Sequence, residues 1–460
     1  MQASAKPMLT ALQKPASQTG NMATALHTSL QTALIKLWGQ EVGAVTWLDE
    51  GYAIFEYTPE FSRSGRDISP IHMPLNPRGQ SRFMFPALNK DTFMGLPGLL
   101  ADSLPDKFGN AIIDEWLARQ GRSRNSFNPV ERLCYTGSRG MGALEFTPSI
   151  KTSLDKATPV EIAQLVDLMQ SIMQERQQMD LALSEDDEHN NEAALLDILR
   201  IGTSAGGARP KAVIAINDKN GHVLSGQTEV PDDYDYWLLK FDGVDDIELG
   251  KPQNYGRIEY AYYQMAKDAG IEMTECRLFE ENGRAHFMTK RFDRIAGKKI
   301  HMQTLCGIAH YDFNLAGAYS YEQAFSIMRE MRLPKSAALQ QYKRMLFNVF
   351  ARNQDDHTKN IAFLMDETGQ WSLSPAYDVT YSHNPAGAWT NQHQMSINGK
   401  RDEFNKKDLI AIGESISLPN AEKVIDEIKH VITSWPDYAK QAGVRKNLIE
   451  NIASMHRLHI

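Results

Sequence analysis

From Arg352 to Val379 the sequence runs RNQDDHTKNIAFLMDETGQWSLSPAYDV, an order of loop, strand, turn, strand and acid that few folds can accommodate. Leu346, Val349 and Phe350 share one face of a helical segment just before it. That spacing predicts a helix ending near Phe350 and a polar loop after it. An apolar strand should follow at Ile361 to Met365, then a turn at Glu367 to Gln370 and a second strand at Trp371 to Leu373. Asp355 and Asn360 flank the loop, and Asp378 stands eighteen residues beyond Asn360. Read blandly, this is a helix-terminating loop whose Asp and Asn side chains cap backbone groups.

Phosphoryl transfer from ATP needs the same inventory. One carboxylate accepts the proton of the attacking hydroxyl, while an amide oxygen and a second carboxylate hold Mg²⁺ against the phosphates. Protein kinases present them as a base Asp, an Asn about five residues on, a hairpin and a metal-binding Asp. Asp355, Asn360 and Asp378 reproduce that order. Asp356 and His357 compete for the base role; only the register selects Asp355. His357 is better read as structural or orienting. The loop alone says little, and it is the ordered set that favours a kinase over a capping loop.

A nucleotide-binding half should lie upstream. ILRIGTSAGGARPKAVIAIN, Ile198 to Asn217, places Ser204, Gly206, Gly207 and Ala208 in a loop before an alternating strand on which Lys211, Val213 and Ala215 share a face. Glycines let backbone N–H groups close around phosphate oxygens, and Arg209 and Lys211 add charge. The pattern is neither GxxxxGK[ST] nor GxGxxGxV, so a plain glycine turn between strands stays open. Lys240 follows in the apolar strand Tyr234 to Phe241, where it needs an anion or an edge with water. Glu259, on a helix spanning residues 258–269 and closed by Gly270, is its candidate partner. The alternative is an edge-strand lysine and a surface glutamate. The strand His286 to Phe292 would supply the hinge that reads adenine through Lys290 and Phe292. His357 and Lys359, in the polar loop, complete the nucleotide-contact candidates.

The remaining text bounds the setting. The chain has 460 residues, 42% hydrophobic and 23% charged, which suits a globular protein of about three domains. We read residues 1–32 as a flexible leader, 33–150 as a mixed N-terminal domain, 151–300 as a nucleotide-binding region and 301–460 as a helical lobe. Within these, long helices are expected at Leu96 to Gln120 and Pro159 to Met179, and early strands at Lys36 to Trp38, Val42 to Leu48 and Tyr52 to Tyr57. The acidic run Ser184 to Asn191 reads as a solvated linker. A net charge of −8 argues against direct DNA binding as the main activity. Cys134, Cys276 and Cys306 are isolated, with neither a disulfide framework nor a zinc pattern. They fit a reducing, cytoplasmic setting, and no apolar stretch suggests a secretory signal or a membrane span. His189 with Glu192, and His456 with His459, gather no third ligand, so no transition-metal site is expected.

At the level of whole motifs the chain resembles the HipA family of serine/threonine-protein kinase toxins from bacterial toxin–antitoxin modules. The resemblance runs from about Lys36 to the C-terminus. It rests on WGQEVGAVTWLDEGYAIFEYTPEF, GLPGLLADSLPDKFGN, GSRGMGALEF, SAGGARPK, WLLKF around Lys240, KRFDR, DDHTKN and PAYDV, in that order. It implies an α+β, bilobal protein-kinase-like core with a mainly helical C-terminal lobe and an N-terminal mixed α/β domain. It further implies Asp355 as catalytic base, Asn360 and Asp378 as Mg²⁺ ligands, and Lys211, Lys240 and the Lys290–Phe292 hinge as ATP contacts. Ser204 would be autophosphorylated; the added charge beside the ATP phosphates should eject its loop and switch the enzyme off. The implied partners are a HipB-like helix-turn-helix antitoxin, operator DNA reached through it, and a protein substrate such as an aminoacyl-tRNA synthetase. Lys290 stands where a glutamate is common in the family, and Gly206-Gly207 widens the loop. Two rival readings are a small-molecule phosphotransferase and a catalytically silent co-repressor.

Overall fold

The computed structural model describes residues 30–105, 109–110, 113–114, 122–123, 126–149, 159–160, 162, 211–242 and 254–460. In the N-terminal unit, β1 (Thr32–Leu37), β2 (Gln40–Trp47), β3 (Ala53–Tyr57), β4 (Arg82–Phe83) and β5 (Leu144–Thr147) form an antiparallel sheet ordered β4-β3-β2-β1-β5. Alternation along β1 sends Ala33, Ile35 and Leu37 into its core. The first strand therefore ends where the sequence suggested it would begin. Trp38 and Gly39, both with positive φ, make a two-residue hairpin turn of the kind that matches strand twist. Gln31, inside the expected leader, already joins the sheet: its carbonyl accepts from the Trp47 N–H at 2.7 Å. The long helix expected from Leu96 to Gln120 is interrupted rather than continuous: Gly98–Ala101 is helical, turns carry the chain to Pro105, and residues 109–110 and 113–114 are helical again. A residue before proline is pushed out of the α region, and proline has no N–H to continue the ladder. Pro159, expected to open a helix, bridges to Leu224, while Ile162 is helical and the rest of the expected helix to Met179 lies outside the described residues.

The second sheet is ordered β7-β6-β8-β10-β9, from β6 (Lys211–Ile216), β7 (Val223–Ser225), β8 (Asp235–Lys240), β9 (Cys276–Glu281) and β10 (Arg284–Lys290). Helix Tyr255–Asp268 buries Ile258, Ala261, Tyr262, Met265 and Ala266 on one face, and Gly270 (φ 71°) follows its end. The helix starts close against β10: a Cβ on Gly256 would lie 2.2 Å from the Ala285 carbonyl oxygen, so only glycine fits there.

Beyond a small ribbon of β11 (Arg294–Ile295) and β12 (Lys298–Lys299), the chain enters a mainly helical lobe. Helix Lys335–Phe350 ends at the residue its apolar face predicted. The hairpin of β14 (Ala362–Met365) and β15 (Trp371–Leu373) follows, as the sequence suggested. A strand that sequence reasoning missed, β13 (His301–Thr304), pairs with β14 and makes the hairpin a three-stranded sheet. Helices Tyr321–Glu330, Lys406–Ser415, Ala421–Thr433, Trp435–Gln441 and Lys446–Met455 pack the core around it.

Buried polar contacts join the N-terminal unit to the rest. Asp293, fully buried, accepts from Arg291 at 2.7 Å, Arg294 at 2.6 Å and the Gly142 N–H at 2.8 Å. Arg294 donates onward to the carbonyls of Gly142 and Gly140 at 2.9 and 3.0 Å. The glycine-rich passage after Thr136 is thereby tied to the KRFDR segment. Burial alone would raise the Asp293 carboxyl; the two guanidiniums outweigh it and hold the group well below the usual carboxylate range. Further along, Asp102 accepts from the Thr304 N–H at 2.7 Å and the Thr304 hydroxyl at 2.9 Å, and Asn89 donates to Asp312 at 2.6 Å.

Two predictions follow from these buried groups. Asp293→Ala leaves two guanidiniums buried without their carboxylate and should cost about 3–5 kcal/mol in urea unfolding. His301 and His456 are both buried, and burial pulls each down to about 4 from an ordinary 6.5. The unfolded chain then binds their protons first, so stability falls as pH drops from 6.5 toward 4. Each should contribute about 2 kcal/mol to the loss at pH 5, and the His301→Leu/His456→Leu variant should show a flatter decline between pH 7 and pH 5.

Candidate active site

Lys240 ends β8, which lies between β6 and β10, so the edge-strand alternative does not apply. Its Nζ meets Glu259 Oε1 at 2.6 Å and Asp378 Oδ1 at 2.5 Å, and Glu259 is buried rather than at the surface. Lys211 stands directly opposite Lys240 in the β6–β8 register. Burial would lower the Lys240 ammonium, but Asp378 and Glu259 outweigh it and raise it well above its ordinary value. Burial would equally raise Asp378; Lys240 and Lys211 hold it far below the carboxylate range.

Asp378 has φ 55°, the left-handed region that a non-glycine residue enters only when its surroundings compel it. The two residues before it are both held. The Ala376 N–H donates to the Glu272 carbonyl at 2.8 Å, and the Tyr377 hydroxyl donates to the Lys359 carbonyl at 2.5 Å. Tyr377 in turn tilts against Phe292, with ring centroids 5.5 Å apart.

The doublet Asp355-Asp356 splits. Asp356 turns into the core, where its carboxylate accepts from the Tyr321 hydroxyl, His393 Nδ1 and the Gln394 N–H, each at 2.8 Å. Arg457 donates to His393 Nε2 at 2.8 Å, so that nitrogen accepts and Nδ1 carries the proton facing Asp356. With both oxygens engaged and no exposure, Asp356 has no room for a substrate hydroxyl. Asp355 points outward, its side chain about a third exposed (36%). Its Oδ1 accepts from the Trp389 indole at 2.6 Å and lies 3.7 Å from His357 Nε2. Asn360 donates its amide hydrogen to the Asp355 carbonyl at 2.7 Å, which leaves its Oδ1 with no protein partner among the described residues. Lys359 lies over the Phe313 ring at 4.7 Å.

Asn360 and Asp378 line one small cavity with His357. Mg²⁺ takes one or two protein oxygens and completes its shell with phosphates and water, and this pair suits that demand. Among the described residues no group of three or more His, Cys, Asp or Glu gathers as for a transition metal.

The hinge is less open than its sequence implied. The Lys290 N–H donates to the Glu275 carbonyl at 2.8 Å and the Arg291 N–H to the Tyr236 carbonyl at 2.9 Å. The Lys290 ammonium pairs with Asp235 at 2.7 Å on the outer side. Of the hinge residues, Phe292 is the one that reaches the site, through Tyr377. Ser204, Gly206, Gly207, Ala208 and Arg209, as well as the acidic run, lie outside the described residues. Sequence reasoning missed Trp389, Tyr321, His393 and Gln394, which lie 34 to 38 residues along the chain from the aspartate each one meets and carry no motif of their own. No helix among the described residues is long and apolar enough to cross a membrane.

Comparison with known proteins follows the same lines. The model of the HipA N-terminal domain matches residues 33–147, and that of the HipA-like C-terminal domain matches residues 203–435. A Sinorhizobium fredii protein named as a candidate kinase, Y4mE, is 24% identical over 196 residues, 40% of this chain and 40% of that relative's length. Among solved structures, HipA of Shewanella oneidensis MR-1, in a complex with HipB and operator DNA, superposes with a TM-score of 0.62 at 17% identity, over 92% of this chain and 95% of that one. That likeness establishes the fold, and the bilobal α+β architecture is the one the motifs implied. With two family models spanning both its N-terminal and its C-terminal parts, the chain belongs to the HipA family.

Proposed function

We propose that the chain is an ATP- and Mg²⁺-dependent serine/threonine protein kinase acting as the toxin of a HipBA-like module. The observation that carries this is the meeting of Lys240, Glu259 and Asp378 at 2.5–2.6 Å beside an outward Asp355. Lys240 and Lys211 would grip the α- and β-phosphates, with Glu259 aligning Lys240. Magnesium, held by Asn360 and Asp378, would neutralise charge on the phosphates. Asp355 would accept the proton of the attacking serine or threonine hydroxyl. The loop of Ser204, Gly206, Gly207, Ala208 and Arg209 would cover the phosphates, and phosphorylation of Ser204 would switch the enzyme off.

Partners are inferred by analogy. The Shewanella protein was captured with HipB and operator DNA. An antitoxin of that kind is the partner we assign to this acidic chain, with operator DNA reached through it. A translation factor such as an aminoacyl-tRNA synthetase is the substrate class, and the cytoplasm is the setting. The domain division at residues 33–150, 151–300 and 301–460 then separates a docking unit, a nucleotide half and a catalytic half.

Labelled ATP with Mg²⁺ tests this directly. Wild type should transfer phosphate to protein, with label on Ser204 by peptide mass spectrometry. Asp355→Gln should lower the rate about 10²–10⁴-fold, and Asp378→Asn should abolish it. Asp356→Ala should instead unfold more easily, by about 3 kcal/mol, because it strands buried donors. Label on a metabolite alone would overturn the protein-kinase reading, and an Asp355→Gln enzyme with full rate would overturn the base assignment.

A further inference from the structure

Trp389 touches the proposed base and belongs to no motif. Its indole N–H donates to Asp355 Oδ1 at 2.6 Å, and His357 Nε2 faces that same oxygen from 3.7 Å. Asp355 Oδ2 has no partner among the described residues. One oxygen is therefore held and the other is left for a hydroxyl. A terminal carboxylate torsion is broad and roughly two-fold, so without such a donor no hydrogen bond among the described residues fixes which oxygen faces outward.

The segment bearing Trp389 is itself braced. The Gly387 N–H donates to the Asn384 carbonyl at 3.0 Å and the Asn384 N–H to the Thr390 carbonyl at 3.2 Å. Gln394 does more: its backbone N–H is fixed on Asp356 at 2.8 Å, while its side-chain amide donates to the Trp389 carbonyl. The contacts close a ring. Asp356 anchors Gln394, Gln394 holds Trp389, and Trp389 returns to Asp355, the next residue along the loop from Asp356.

We infer that Trp389 is the positioning residue of the proton acceptor: its indole N–H clamps Asp355 Oδ1 so that Oδ2 meets the substrate hydroxyl. The inference rests on the kinase reading above. A clamp of this kind acts on the chemical step and leaves nucleotide binding alone.

Trp389→Phe keeps the ring and removes the donor. With Mg–ATP and casein as acceptor, kcat should fall about ten- to hundredfold, the cost of a misoriented group. The KM for ATP and the melting temperature should stay at wild-type values. In the ¹⁵N-indole spectrum, the resonance lost in Trp389→Phe should lie downfield in wild type and move upfield in Asp355→Ala. An unchanged kcat in Trp389→Phe, or an indole resonance indifferent to Asp355→Ala, overturns the clamp and leaves the kinase reading standing. A joint loss of melting temperature and ATP affinity also overturns it, since that marks ordinary packing. Wild type that labels neither casein nor its own chain, like Asp355→Gln, overturns the kinase reading, and the clamp with it.

Discussion

A lysine in the interior of a sheet must be matched by anions, and here the match is made across the whole molecule. Lys240 sits on a central strand with Glu259 from a helix of the same half and Asp378 from the far lobe. Removing either acid would leave an ammonium poorly solvated; removing the lysine would leave two carboxylates close together. The triad therefore fixes the approach of the two halves. It also explains why Asp378 tolerates a left-handed backbone: the strain is offset by the charge it meets.

Neighbouring residues of one type can be given opposite tasks by their surroundings. Asp355 and Asp356 differ by one position, yet one is enclosed by Tyr321, His393 and Gln394 while the other faces solvent. The inward residue holds the loop to the helical core and, through His393, to Arg457 near the C-terminus. The outward one keeps a carboxylate oxygen without a partner among the described residues, so a single doublet gives the loop both a buried anchor and an open acid.

Much of this was legible in advance, because it depends on local order. The helix end at Phe350, the hairpin after Asn360 and the partnership of Lys240 with Glu259 are readable from periodicity and from the cost of a buried charge. What escaped notice was set by distant chain. β13 is too short to show alternation, and only β14 beside it makes it a strand. The segment after Leu96 reads as a helix until Pro105 interrupts it. Nothing near Asp355 indicates that Trp389 will reach it, nor that the Lys290 side chain will turn outward to Asp235. Register alone selected Asp355 over Asp356 and His357, and the resemblance to HipA pointed to the same residue.

The N-terminal unit is fastened at two levels. Asp293 and its arginines hold it just past the hinge, and Asp102 and Asn89 hold it to Thr304 and Asp312 further down. It acts as a splint along the helical lobe. A change in how this splint is held would be felt first at Thr304 and Asp312, in the lobe that carries Asp355.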